Sequence, residues 1–101
     1  MKENKNKVEI MQDCVKIAHY LNSFANEKRI SIVCLLKNGE LTVSEIAEAL
    51  RMPQSSVSIN LEKLYVKEIV YRKRDGRFVY YGLNKNTLKM IVRKLNELFL
   101  K

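Results

Sequence analysis

Apolar positions along this chain fall on five helical faces and one alternating stretch. From Val8 to Leu21 they are Ile10, Met11, Cys14, Val15, Ile17, Ala18 and Leu21, spacings of three and four that predict a first amphipathic helix. Asn26 then precedes Glu-Lys-Arg and a second apolar helix, Ile30–Leu36, which Asn38-Gly39 is suited to stop. The run Thr42-Val43-Ser44-Glu45 fits a capping box, so a third helix begins there and runs to about Leu50. Pro53 suits the start of a fourth, because it loses no hydrogen bond there and presets a helical φ.

The pattern changes between Ile69 and Leu83. Val, Tyr and Phe dominate, and Asp75-Gly76 interrupts them as a two-residue hairpin signal. Asn86 is placed to cap a last helix that carries Leu88, Ile91, Val92, Leu95, Leu98 and Phe99 on one side. The expected fold is therefore mainly α with a β-hairpin, in the order α-α-α-α-β-β-α, a winged helix-turn-helix. No repeat, linker or low-complexity segment divides it, so residues 1–101 read as one domain, with residues 1–7 frayed. The first and last helices, residues 8–23 and 86–100, both carry apolar faces that so small a domain can barely cover. They read as dimerisation helices.

Charge sharpens this picture. Residues 1–50 hold seven Lys/Arg against seven Asp/Glu, whereas residues 51–101 hold twelve against four, which accounts for the whole net charge of +8. A one-sided excess attracts polyanions and makes their binding salt-dependent. With Val57, Leu61 and Leu64 turned inward, the fourth helix presents Ser55, Ser58, Ile59 and Glu62 outward. Ser56 and Lys63 then lie on its flank, and Gln54 in its first turn. Glutamine can pair bidentately with adenine, serines can reach bases or phosphates, and an outward Ile can meet thymine methyls. Arg72, Lys73, Arg74 and Arg77 surround the hairpin turn, where mutual repulsion makes sense if a phosphate backbone neutralises them. Thr42 and Ser44 open the third helix as candidate phosphate contacts. Tyr71, Tyr80 and Tyr81 read as sheet packing.

Double-stranded DNA is thus the expected partner, with a protein- or RNA-binding winged helix as the alternative. An enzyme is not indicated, since no nucleophile, base and acid are grouped and no Gly-rich phosphate loop is present. No apolar run approaches a membrane span, and the start MKENKNKVE lacks the apolar core of a secretory signal. A cytoplasmic location with reduced thiols at Cys14 and Cys34 follows. One histidine, two cysteines and no Cys-x-x-Cys make no structural zinc site, and no cofactor is implied. Cys14 and His19, five residues apart, stand roughly 140° apart on a helix and do not form a ligand pair.

Four phrases carry a family resemblance: FANEKRISIVCLL, GELTVSEIAEAL, PQSSVSINLEKL and RDGRFVYYGL. Over roughly residues 20–85 the chain resembles the ArsR/SmtB family of winged-helix bacterial repressors. The resemblance implies homodimers that bind operator DNA, release it on binding an inducer, and pair their first and last helices. Metal-sensing members resemble one another in a Cys-rich third helix, where this chain has Thr42 and Ser44, or in Asp and His pairs on the last helix. Residues 85–101 contain no His, Cys or Asp, so metal sensing at the usual sites is not expected. Cys34 resembles the redox- and sulfide-responsive branch, which includes haemolysin-gene activators and pairs that thiol with a second near the end of the last helix. Leu100 stands at that point, which leaves Cys14 as the substitute thiol; alternatively Cys34 is a small apolar residue filling a helix face. Many relatives also have a basic residue and His where this chain has Ile59-Asn60.

Overall fold

A computed structural model describes residues 6–100. The chain forms α1 (Lys7–Phe24), α2 (Glu27–Leu36), α3 (Val43–Leu50), α4 (Gln54–Val66), β1 (Val70–Asp75), β2 (Phe78–Leu83) and α5 (Lys85–Phe99). This is the expected order. Residues 1–5 of the segment expected to fray lie outside the described residues. Its remaining two do not fray: the Asn6 side chain accepts from the Glu9 amide at 2.8 Å, and Glu9 accepts in return from the Asn6 amide. That reciprocal cap starts α1 at Lys7, one residue before the apolar pattern begins.

Caps also set the other boundaries. The Asn26 side chain accepts from the amides of Lys28 and Arg29 and so starts α2 at Glu27, three residues ahead of its apolar run. The capping box of Thr42 and Glu45 is present as expected. Asn84, rather than Asn86, caps α5, because its side chain accepts from the Thr87 amide. Asn86 consequently sits inside the first turn. The hairpin turn also shifts by one residue. Asp75 pairs with Phe78, so the two loop residues are Gly76 and Arg77, with Gly76 at φ 64°. The glycine fills the left-handed position, and Arg77 stands at the tip.

One core holds these elements together. Ile32 and Leu36 of α2, Ile46 and Ala47 of α3, Val57, Leu61 and Leu64 of α4, and Ile69 and Val70 at the start of the hairpin are buried together. One backbone bridge ties the hairpin to the segment before α3, and one more bond closes the hairpin's base. Leu41 and Tyr81 exchange backbone hydrogen bonds of 3.0 and 2.8 Å, and the Asn84 amide donates to the Ile69 carbonyl at 2.9 Å. The bridge lays residue 41 along β2 as a one-residue third strand.

The two outer helices contribute little to that core. Ile17 and Ser23 are the buried residues of α1, and Ile91 that of α5. Lys94 of α5 pairs with Asp13 of α1 at 3.5 Å, holding the two helices side by side. Val8, Met11, Val15, Val92, Phe99 and Leu100 remain exposed. The radius of gyration is 16.1 Å, with extents of 53 × 23 × 19 Å. A compact domain of this length measures about 13 Å. Among the described residues no helix is long and apolar enough to cross a membrane.

Candidate DNA-binding surface

α3 and α4 meet at a sharp turn in which Arg51 takes a left-handed conformation, φ 54°. The Met52 amide donates to the Ala47 carbonyl at 3.0 Å, closing α3 so that α4 can leave in a new direction. Val57, Leu61 and Leu64 are fully buried, as their spacing predicts. Gln54, Ser55, Ser58, Ile59, Glu62 and Lys63 face solvent, and Ser56 is half-buried on the flank. Ile59 is 58 % exposed, a large apolar side chain on an otherwise polar edge. Gln54 and Ser44 come together, the amide donating to the hydroxyl at 3.2 Å. Thr42 is differently placed. Its hydroxyl is engaged on both sides by Glu45, accepting from the amide and donating to the carboxylate, each at 3.2 Å.

The wing cations divide into two pairs. Arg72 lies 3.9 Å over the Tyr65 ring and reaches Glu62 of α4 at 3.4 Å. A hydrogen bond with the Tyr81 side chain, and then Tyr65 and Glu62, hold its guanidinium above the usual pKa. Lys73 pairs with Glu40 at 3.1 Å. Arg74 and Arg77, nearer the tip, have no carboxylate partner among the described residues, although Arg77 lies 5.1 Å from the Phe78 ring. Strand alternation puts Arg74 on the same face as Arg72, the face turned toward α4.

Several residues of this surface carried no functional signal in the sequence. Asn60 is 8 % exposed: it donates to the Ser56 carbonyl at 2.9 Å and accepts from Arg29 at 3.4 Å. Arg29 also donates to the carbonyls of Ser23 at 2.7 Å and Asn22 at 3.4 Å, joining the end of α1 to the middle of α4. Glu40 accepts from the Tyr71 hydroxyl as well as from Lys73. Those two bonds, Tyr71's first, hold its carboxyl below the usual range, and the same carboxylate raises the Tyr71 phenol. Tyr71 thus does more than pack on the sheet. Cys14 and Cys34 are both exposed free thiols, so Cys34 does not fill a buried helix face. Among the described residues no three His, Cys, Asp or Glu side chains are gathered to hold a metal.

A second surface lies along α5. An open groove of about 700 Å³ is lined by Leu88, Val92, Leu95, Phe99 and Leu100 together with Lys89, Arg93 and Asn96.

A helix-turn-helix followed by a basic hairpin is the winged-helix DNA-binding architecture. The comparisons with known proteins agree with it. Residues 26–72 match the model of the bacterial regulatory protein arsR family. The transcriptional activator HlyU of Vibrio cholerae is 30% identical over 91 residues, which span 90% of this chain and 84% of that protein. The structure of reduced HlyU superposes with a TM-score of 0.74, covering 92% of this chain and 98% of the other. The transcriptional repressor PagR of Bacillus anthracis is 35% identical over 82 residues, 80% of this chain and 82% of that one. A homodimeric winged helix-turn-helix DNA-binding domain from Mycobacterium bovis, 24% identical, shares the fold with a TM-score of 0.68, covering 100% of this chain and 94% of the other. The chain belongs to the ArsR family and is a DNA-binding transcriptional regulator, not an enzyme.

Proposed function

We propose that this regulator is a cytoplasmic homodimer that reads an inverted-repeat operator with α4 and clamps the flanking backbone with its wing. The observation that carries this reading is the outward polar edge of α4 together with a wing whose two tip arginines have no carboxylate partner among the described residues. Gln54, Ser55, Ser58 and Ile59 supply the base-reading groups, with Ser44 held against Gln54. Arg74 and Arg77 supply backbone contacts, with Lys63, Ser56 and the start of α3 at Thr42 and Ser44 alongside. Arg72 and Lys73 exchange their carboxylate partners for phosphate or stay as supports of the wing. The exposed apolar faces of α1 and α5, on a chain far more extended than its length requires, are covered by a second copy. Residues 8–23 and 86–100 form that interface.

The signal is not a metal at the family's usual positions, which Thr42, Ser44 and a last helix without His, Cys or Asp leave without ligands. A redox response is assigned to the exposed thiol of Cys34, with Cys14 as the other available sulfur. Loss of operator binding on peroxide treatment in wild type but not in Cys34→Ser supports that assignment; identical behaviour of both removes it. The test of the main reading is Arg74→Ala with Arg77→Ala. Affinity should fall for every duplex, and the salt slope should flatten by about one unit per lost phosphate contact. Unchanged affinity and slope contradict the wing assignment.

A further inference from the structure

We propose that Glu40, Tyr71 and Gly82 form a latch that fixes the angle of the wing against the helix-turn-helix, which makes Glu40 and Tyr71 positioning residues for DNA binding. The inference rests on the DNA-binding surface described above and concerns what holds that surface in shape.

Glu40 lies in the link between α2 and α3, two residues before the cap of α3. Tyr71 is on β1, and Gly82 is its partner across the hairpin. To reach Glu40 the tyrosine crosses over β2, because residue 41 pairs with Tyr81 on the far side of that strand. Gly82 makes the crossing possible. A Cβ there would fall 2.8 Å from Cε2 of Tyr71 and closer still to Cζ and the hydroxyl, so any side chain would push the ring off the strand. The hydroxyl then donates to one carboxylate oxygen of Glu40, and Lys73 takes the other. Both bonds join the wing to the link that leads directly into α3.

A two-stranded hairpin has little stability of its own and swings on its base unless something restrains it. The Leu41–Tyr81 bridge fixes the base of the wing but leaves rotation about that strand free. The Tyr71 hydroxyl attaches the wing off the bridge axis, on the face opposite the Arg72 contacts with Glu62 and Tyr65 of α4, and attachments on both faces define an angle. A wing freed to sample other angles binds DNA with an affinity reduced by the fraction of time it spends in the competent one.

The experiment titrates four variants against a duplex that the wild-type protein has selected from random DNA, across a range of salt concentrations. Tyr71→Phe keeps the ring over Gly82 and removes only the hydroxyl. Its operator affinity should fall about fivefold, corresponding to a wing competent about a fifth of the time. The salt slope should stay that of wild type, because no phosphate contact is lost. Its thermal midpoint should lie within about 3 °C of wild type, since no core residue is touched. Glu40→Gln and Glu40→Ala remove the same negative charge, but only the glutamine keeps an acceptor for Tyr71, so the alanine variant should bind about fivefold more weakly than the glutamine variant. Stoichiometric titration of active protein separates a lower affinity from a smaller folded fraction. Wild-type affinity in Tyr71→Phe, or equal affinity in the two Glu40 variants, overturns the latch. So does a Tyr71→Phe salt slope reduced by one, which makes the hydroxyl a phosphate contact. The Arg74→Ala, Arg77→Ala protein is the fourth variant. If it loses affinity and slope while Tyr71→Phe is unaffected, the latch alone is wrong; if it too is unaffected, the DNA surface and the latch both fall.

Discussion

Replacing Arg29 with Ala should destabilise the fold without removing a DNA contact. The guanidinium joins the carbonyls of Asn22 and Ser23, at the end of α1, to the buried amide of Asn60 in α4. Ser23 is 5 % exposed and Asn60 8 %, so neither acceptor regains full hydration when the arginine is removed. One charged hydrogen bond at 2.7 Å contributes on the order of 1.5–3 kcal/mol, and the two at 3.4 Å add little. Asn60 keeps its bond to Ser56, which limits the loss, so the expected cost is about 2 kcal/mol. For a domain of this length that lowers the unfolding midpoint by about 10 °C. Arg29→Lys should recover less than half of the loss, because lysine carries a methylene where the arginine Nε–H makes the 2.7 Å bond to Ser23. The assay is thermal and urea unfolding at one fixed protein concentration, since association shifts the midpoint. Operator affinity of the folded fraction should be unchanged. Wild-type stability together with a lost unit of salt slope would make Arg29 a phosphate contact and not a structural tie.

Val92→Glu with Phe99→Glu places charge in the α5 groove and should give a sedimentation mass near the 11.9 kDa of one chain, where wild type should give twice that; an unchanged mass contradicts the proposed interface. Zinc, cadmium or arsenite should leave operator affinity unchanged, and a tenfold loss reversed by a chelator refutes that expectation. The latch should be insensitive to pH across the working range. Glu40 is lowered from 4.5, so its contribution is present above that value and lost only as pH falls through the depressed one. Tyr71 is raised from 10.0, so its contribution is present below that value and lost as pH rises through the raised one. The ratio of Tyr71→Phe to wild-type dissociation constants should be flat from about pH 6 to 9, and a several-fold change in that window contradicts the assignment.

Periodicity and capping chemistry made most of the architecture legible. The i, i+4, i+7 spacing of Val57, Leu61 and Leu64 fixed the buried side of α4, and Thr42 with Glu45 fixed the start of α3. The departures were shifts of one or two residues at element ends. Asn84 and Asn86 are both good caps, and only the approach of the chain from β2 selects the first. Asp75-Gly76 is a turn signal whose register depends on which residues pair across the hairpin. The electrostatics were the least legible part. Four cations in one hairpin suggested one role, yet Arg72 and Lys73 meet Glu62 and Glu40, which are ten and thirty-three residues away in sequence. Gly82 was the one available hint of the Tyr71 crossing, since a glycine inside a strand marks close approach of another group.

On the proposed reading, two copies of this chain read DNA symmetrically through α4 and the wing. Selection from a pool of random duplexes, followed by footprinting of the winners, tests it most directly. Two-fold symmetry predicts an inverted repeat whose half-sites are about one helical turn apart, with protection extending beyond each half-site where the wings lie. Enrichment of a single asymmetric site, or no enrichment over non-specific binding at physiological salt, contradicts it.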